Sequence, residues 1–322
     1  MTTNEKIYQF NALTDLWSWS VTLEEKNGQI KEKTVPDRLI TTGLLGSIRW
    51  WFEVLVRGLT GNACDPTDTK CEDRNHCVVC ELFGCTGWAR KFRFEVLDEK
   101  NGTKTDQIKQ NQTFYLRFTP LRPIRVEEWT LLDATLRLIA EYGAIGGKTV
   151  FKPTDEPTRA SKLHHKDYGL VQMVSSQQSD GTDRGNLEKY LSKWPMLNHG
   201  AFAWASLQHF WCVNGKYLAR QNGNSSSFNC VIGRLEPKQQ SSQNDSWMAG
   251  RRPDPRNNVE AESKKVLSFK NPARTFGFVK PGLIDFNTMK ERLTNAWGRN
   301  GWDFLAGATI INQLFAGKEG RS

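Results

Sequence analysis

The sequence has no apolar run approaching the roughly 18 residues that a membrane-spanning helix needs. Its opening, MTTNEKIYQF, lacks the basic-then-apolar order of a secretory signal. No membrane association is therefore expected, and the cytoplasm is the expected compartment. GxSxG, HExxH and an obvious carboxylate dyad are missing too, which leaves the commoner hydrolytic mechanisms without a footing. No fixed-period repeat is visible, so a solenoid or propeller is excluded. Histidine is scarce, with five in 322 residues, and only the adjacent pair His164 and His165 invites an acid/base reading.

At 322 residues the chain exceeds one typical core, and two domains are expected. The formal charge is +9. Lys+Arg and Asp+Glu balance at 22 each over residues 1–160, whereas residues 161–322 carry 22 against 13. That excess favours a polyanionic partner. Twelve tryptophans add faces on which unpaired bases stack, although most indoles fill cores.

Along the chain, Lys6 to Thr22 reads as one strand or as two broken near Asp15. From Leu44 to Leu59 the apolar residues recur at helical spacing, with Gly58 and Gly61 closing the helix. Its other face carries Arg49, Glu53 and Arg57 four residues apart, a pattern that a solvated ladder of ion pairs also produces. Trp88 to Leu97 alternates as a strand whose wet face holds Lys91, Arg93 and Glu95. Thr113 to Phe118 predicts a strand and Glu127 to Tyr142 a helix. With one further strand this order becomes the ferredoxin-like split βαβ unit shared with RNA-recognition modules. Later, Phe202 to Tyr217 predicts strand, while Phe286 to Trp297 and Phe304 to Phe315 predict helices. The Ser/Asn/Gln-rich stretch 221–263 predicts a polar loop.

The segment EYGAIGGKT is no Walker loop: Tyr142 stands where the first glycine belongs, and the segment follows a helix. Its glycines still allow a phosphate chain close approach, with Lys148 as the cation, though a helix C-cap and tight turn also uses them. The strongest chemical signal is sulfur. Cys64, Cys71, Cys77, Cys80 and Cys85 fall within 22 residues, and Cys77-x-x-Cys80 is the spacing that aims two thiolates at one tetrahedral ion. In a reducing compartment such a cluster is a metal site or a set of free thiols rather than a disulfide frame.

The stretches ITTGLLGSIRWWFEVLVRGLTGNACDPT, CVVCELFGCTGWARKFRF and RLIAEYGAIGGKT together resemble the RAMP superfamily of CRISPR effector proteins, within it subunits of the type III-B Cmr complex. The resemblance implies an α+β chain of two tandem ferredoxin-like (RRM-like) domains, 1–155 and 156–322. It places a zinc-stabilised insertion at 61–87 in the first and a polar insertion at 221–263 in the second. It favours Cys64, Cys71, Cys77 and Cys80 as ligands of a structural Zn2+, with Cys85 spare. It implies RNA contacts by Gly43, Gly46, Ser47 and Arg49 at the helix start, by Arg90, Lys91 and Arg93 at the strand, and by Gly146, Gly147 and Lys148 in the glycine segment. The implied partners are crRNA, target RNA and other RAMP subunits, and the implied role is non-catalytic binding near the 3′ end of the guide. A metal-independent ribonuclease using His164 or His165 is the alternative.

Overall fold

The computed structural model describes residues 5–18, 20–26, 29–35, 38–64, 71–146, 153–160, 165–176, 181–195, 202–222, 225–233, 247–250 and 262–316. Tyr8, Phe10 and Ala12 alternate with polar neighbours to give β1 (Lys6–Ala12) one buried face. The charged segment that follows, which by composition reads as a polar connection, forms a hairpin, β2 (Ser20–Lys26) and β3 (Gln29–Val35), paired through seven residue positions. Helix α1 (Thr41–Gly58) begins three residues before the apolar pattern does. It is followed by the short α2 (Val78–Phe83) inside the cysteine-rich segment, β4 (Phe92–Leu97), β5 (Thr113–Pro120) and α3 (Val126–Tyr142). A one-turn helix α4 (Pro157–Ala160) precedes β6 (Val171–Ser176) and α5 (Arg184–Leu191).

The first sheet has the order β4-β5-β1-β6, antiparallel throughout. Renumbered within the unit this is strand order 2-3-1-4 with α1 and α3 as the two crossovers, which is the ferredoxin-like arrangement. Its core is aromatic. Phe10 stacks on Phe114 with centroids 5.6 Å apart, and Phe92 meets Phe118 edge-on at 5.1 Å. Leu44, Ile48, Phe52 and Leu55 of α1 are fully buried. Each such side chain contributes about 1.5–3 kcal/mol by leaving water.

The second sheet repeats the order: β7 (Phe210–Asn214), β10 (Val266–Lys270), β11 (Ala273–Phe278) and β12 (Leu305–Ala306) lie as β10-β11-β7-β12. Between β7 and β10 run β8 (Arg220–Asn222), β9 (Ser225–Ser226) and α6 (Ser227–Val231), and α7 (Phe286–Trp297) connects β11 to β12. Helix α8 (Gly307–Phe315) follows.

Two tandem ferredoxin-like sheets are therefore present, and several sequence expectations need adjustment. The strand expected over Trp88–Leu97 starts only at Phe92, because Gly84 to Ala89 is occupied by tight turns. Of Phe202–Tyr217 only Phe210–Asn214 is strand. The helix expected from Phe304 begins at Gly307, Leu305 and Ala306 being drawn into pairing with Cys212 and Trp211. The polar stretch 221–263 is not wholly loop: α6 buries Phe228 and Val231, and Trp247 and Met248 are also buried. Residues 234–246 and 251–261 of that stretch lie outside the described residues. The chain divides by proximity into Met1–Thr149, Tyr168–Ser206 and Ile311–Ser322 as one compact unit, with Val150–Asp167 and Leu207–Ile310 as the other. A boundary at 155/156 falls before β6, the strand that completes the first sheet. No described helix is long and apolar enough to cross a membrane.

Candidate metal centre and nucleic-acid interface

Cys64 leaves the end of α1, Cys71 precedes a turn, and Cys77 and Cys80 sit at the start of α2, so the CxxC spacing becomes one helical turn. Their four sulfurs lie within 4.8 Å of one another, and all four residues are buried. Cys64 Sγ and Cys80 Sγ are 3.4 Å apart. A disulfide needs about 2.05 Å, whereas tetrahedral thiolates around zinc, at about 2.3 Å from the ion, stand about 3.8 Å from each other. The donor set and spacing fit a Zn2+ ion. Cys85 and His76 lie outside this four-sulfur group. The His76 ring is held through Nε2 by Glu81 at 2.7 Å and through Nδ1 by the Asp73 carbonyl. Hydrogen bonds from the Cys64 and Cys71 thiols pull Cys77 below the ordinary thiol range, while a hydrogen bond with Cys77 raises Cys71 and one with Cys64 raises Cys80.

Arg49 does not face solvent as a free cation. It donates from Nη1 to the Gly84 carbonyl at 2.9 Å, from Nη2 to Cys80 Sγ at 3.2 Å, and from Nε to Glu53 at 3.1 Å. Glu53 and Arg57 are 2% and 7% exposed and Arg49 is partly exposed, so the stripe that reads as a solvated ladder is largely buried. Arg57 donates to the carbonyls of Ala205 and Cys64, both at 3.1 Å. The signal for this lay in the residues around the stripe: Val54, Leu55 and Val56 leave α1 apolar on nearly every side, and a helix of that kind is buried all round.

Lys91 is a second correction. Expected on the wet face of a strand, it is 6% exposed and bridges Glu81 at 2.6 Å and Glu128 at 2.7 Å. Tyr190 donates to the same Glu128 at 3.0 Å. His76, Glu81, Lys91, Glu128 and Tyr190 so form one polar chain that ties α2 to β4, α3 and α5. Sequence alone gave no hint of it, because its members are up to 114 positions apart. Arg93 is exposed and shares Glu95 with Arg117, at 3.1 and 3.0 Å. Arg90 is half-exposed.

The start of α1 is different. No side-chain cap closes it, no acidic residue occupies its first turn, and Gly46 is exposed with nothing within 4 Å of where a Cβ would stand. Ser47 Oγ accepts from Gly146 N at 3.2 Å, and Trp51 Nε1 donates to the Ala144 carbonyl at 2.8 Å. The helix start and the glycine segment, about a hundred residues apart in sequence, thus form one surface. Gly143 is packed against the Trp51 ring, so its lack of a side chain serves packing. Gly146 takes φ +122, which only glycine adopts without strain. Gly147 and Lys148 lie outside the described residues, as does His164, and His165 is half-buried.

Residues 10–151 match the family model of the RAMP superfamily. This stretch is similar to the RAMP superfamily. It contains α1, the cysteine cluster and the sequence GAIGGKT, but covers less than half of the chain. Among solved structures, the crystal structure of apo Cmr1 from Pyrococcus furiosus aligns with TM-score 0.46 and 10% identity over 94% of this chain and 99% of that one. A chain of a type IV-B CRISPR complex aligns with TM-score 0.32 and 11% identity over 55% and 92%, respectively. One from the Csm3–Csm4 subcomplex of the type III-A CRISPR-Cas interference complex gives 0.25 and 14% over 61% and 100%. No curated protein matches the sequence.

Proposed function

We propose that this chain is a non-catalytic RNA-binding subunit of a cytoplasmic type III-B CRISPR effector ribonucleoprotein, working beside other RAMP subunits in antiviral defence. In this reading it holds the 3′ region of the guide crRNA and helps capture target RNA, and a structural Zn2+ on Cys64, Cys71, Cys77 and Cys80 fixes the insertion. The observation that carries the reading is the joining of the uncapped, glycine-bearing start of α1 to the glycine segment through Ser47 and Gly146, inside the RAMP-matching stretch. Unpaired backbone N–H groups at a helix start attract phosphate, and an open glycine lets a sugar-phosphate chain come close. Gly43, Gly46, Ser47 and Gly146 are the points of close approach in this reading. Arg90, Arg93 and, from the glycine segment, Gly147 and Lys148 add reach and charge. Arg49 and Lys91, engaged by partners within the protein, are left out of the RNA contacts in this reading.

Purification of the chain from its source, followed by sequencing of bound RNA and identification of co-eluting proteins, tests the class. A short RNA of defined length together with several RAMP proteins is the expected outcome. A chain that elutes alone and binds no guide RNA would overturn it. Incubation of the pure protein with labelled RNA is expected to leave the RNA intact, and cleavage abolished by changing His164 and His165 to Ala would replace this reading with a ribonuclease.

A further inference from the structure

Each sulfur of the cysteine cluster is approached by an N–H donor, and the donors come from two sources. The backbone supplies two of them: Cys77 N donates to Cys71 Sγ at 3.3 Å, and Cys64 N to Cys77 Sγ at 3.5 Å. The other two sulfurs share one side chain. Arg49 Nη2 lies 3.2 Å from Cys80 Sγ and 3.9 Å from Cys64 Sγ.

Four thiolates around a divalent ion carry a net charge of −2, and a buried excess charge needs a partner. Arg49 is the only cation within hydrogen-bond reach of these sulfurs among the described contacts, and it is held in place on both sides. Its Nη1 is fixed by the Gly84 carbonyl beyond α2, and its Nε by Glu53 one turn along α1. Glu53 is in turn 3.9 Å from Arg57, whose guanidinium bonds the Cys64 carbonyl next to the metal loop. A rail of alternating charge on one helix stripe therefore ends on the sulfurs.

We infer that Arg49 is the outer-sphere counter-ion of a four-thiolate metal centre, donating N–H···S bonds to Cys80 and Cys64, and so a positioning residue for the metal and not a phosphate clamp. The inference rests on the zinc reading given above. Such partners fix the orientation of the ligands and commonly govern metal affinity about 10–100-fold. A lysine keeps the charge but cannot reach the Gly84 carbonyl and the sulfur with one rigid fork.

The test uses the full chain stripped of metal and reloaded with Zn2+ or Co2+, as wild type, Arg49→Met and Arg49→Lys. Zinc affinity is read by competition with a chromophoric chelator, and the sulfur-to-cobalt charge-transfer band by absorption. The expected result is a zinc affinity about 10–100-fold lower in Arg49→Met, a smaller loss in Arg49→Lys, and a shifted cobalt band in both. The band reports electron density on sulfur, which a merely structural contact would leave alone. Unchanged affinity and an unchanged band in a folded Arg49→Met or Arg49→Lys protein would overturn the inference while leaving zinc itself in place. Wild type that takes up neither metal would overturn the zinc reading and the inference with it.

Discussion

The two halves of α1 are built from one continuous helix and do opposite things with polarity. Its first two turns put Ser47 against the glycine segment and Gly46 toward open space, with Gly43 beside Ser18 and Ile40. Its last three turns bury Glu53 and Arg57 almost completely and bind Arg49 to the cysteine cluster. The contrast teaches that in this protein an arginine one turn inside an open helix start is not thereby a free cation. What is open at the helix start is the backbone at Gly46, while the nearby guanidinium is already bonded. The same lesson holds at β4, where Lys91 and Arg93 are two positions apart yet one is enclosed by carboxylates and the other is open.

Breaking the buried half should give the largest effects. Glu53→Ala leaves the enclosed Arg57 without its carboxylate and frees Arg49, and a loss of about 3–5 kcal/mol in unfolding free energy is expected from denaturant titration. Lys91→Ala strands Glu128, which is fully buried, and should cost a similar amount. Should either variant be as stable as wild type, the buried rail would not be a structural element. Next in size is metal removal. Cys80→Ser is expected to lose bound zinc and the protease resistance of residues 61–87 together, because metal binding and folding of the insertion are linked. Full zinc content in that variant would remove Cys80 from the site.

The exposed half predicts a smaller effect of opposite sign. Gly46→Ala meets no atom and replaces the residue least suited to a helix interior, so stability should rise by about 0.5–1 kcal/mol. Guide RNA affinity should fall in the same variant, since the new methyl stands where the backbone was open. A variant that is more stable and binds equally well would take Gly46 off the surface. Smallest is Arg93→Ala. Its ion pair with Glu95 is exposed and contributes no more than about 0.5 kcal/mol, so folding should be unaffected while the salt dependence of RNA binding falls by about one charge.

Much of the first unit was legible because its signals are local. The period of α1 and α3, the alternation of β4 and β5, and the CxxC turn each depend on residues within a few positions of one another. The four cysteines come together as the resemblance implies, whereas spacing by itself restricts only Cys77 and Cys80. What escaped was set by partners distant in sequence. Whether Lys91 faces water depends on Glu81 and Glu128, and whether Arg49 is free depends on Cys80 and Gly84. The hairpin β2–β3 was missed because its charged composition, EEKNGQIKEK, reads as a polar connection. In the second unit β12 has only two residues, too few for any period to register.

The most direct test of the division of labour along α1 is a titration of labelled guide RNA, at two salt concentrations and saturating zinc, against wild type, Gly46→Glu and Arg49→Met. A carboxylate at position 46 should lower the affinity at least about tenfold, as expected for an anion facing a phosphate chain, whereas Arg49→Met should keep both the affinity and the salt slope of wild type. The reverse pattern, with Gly46→Glu binding normally and Arg49→Met losing about one charge of salt dependence, would contradict the account and return Arg49 to the RNA.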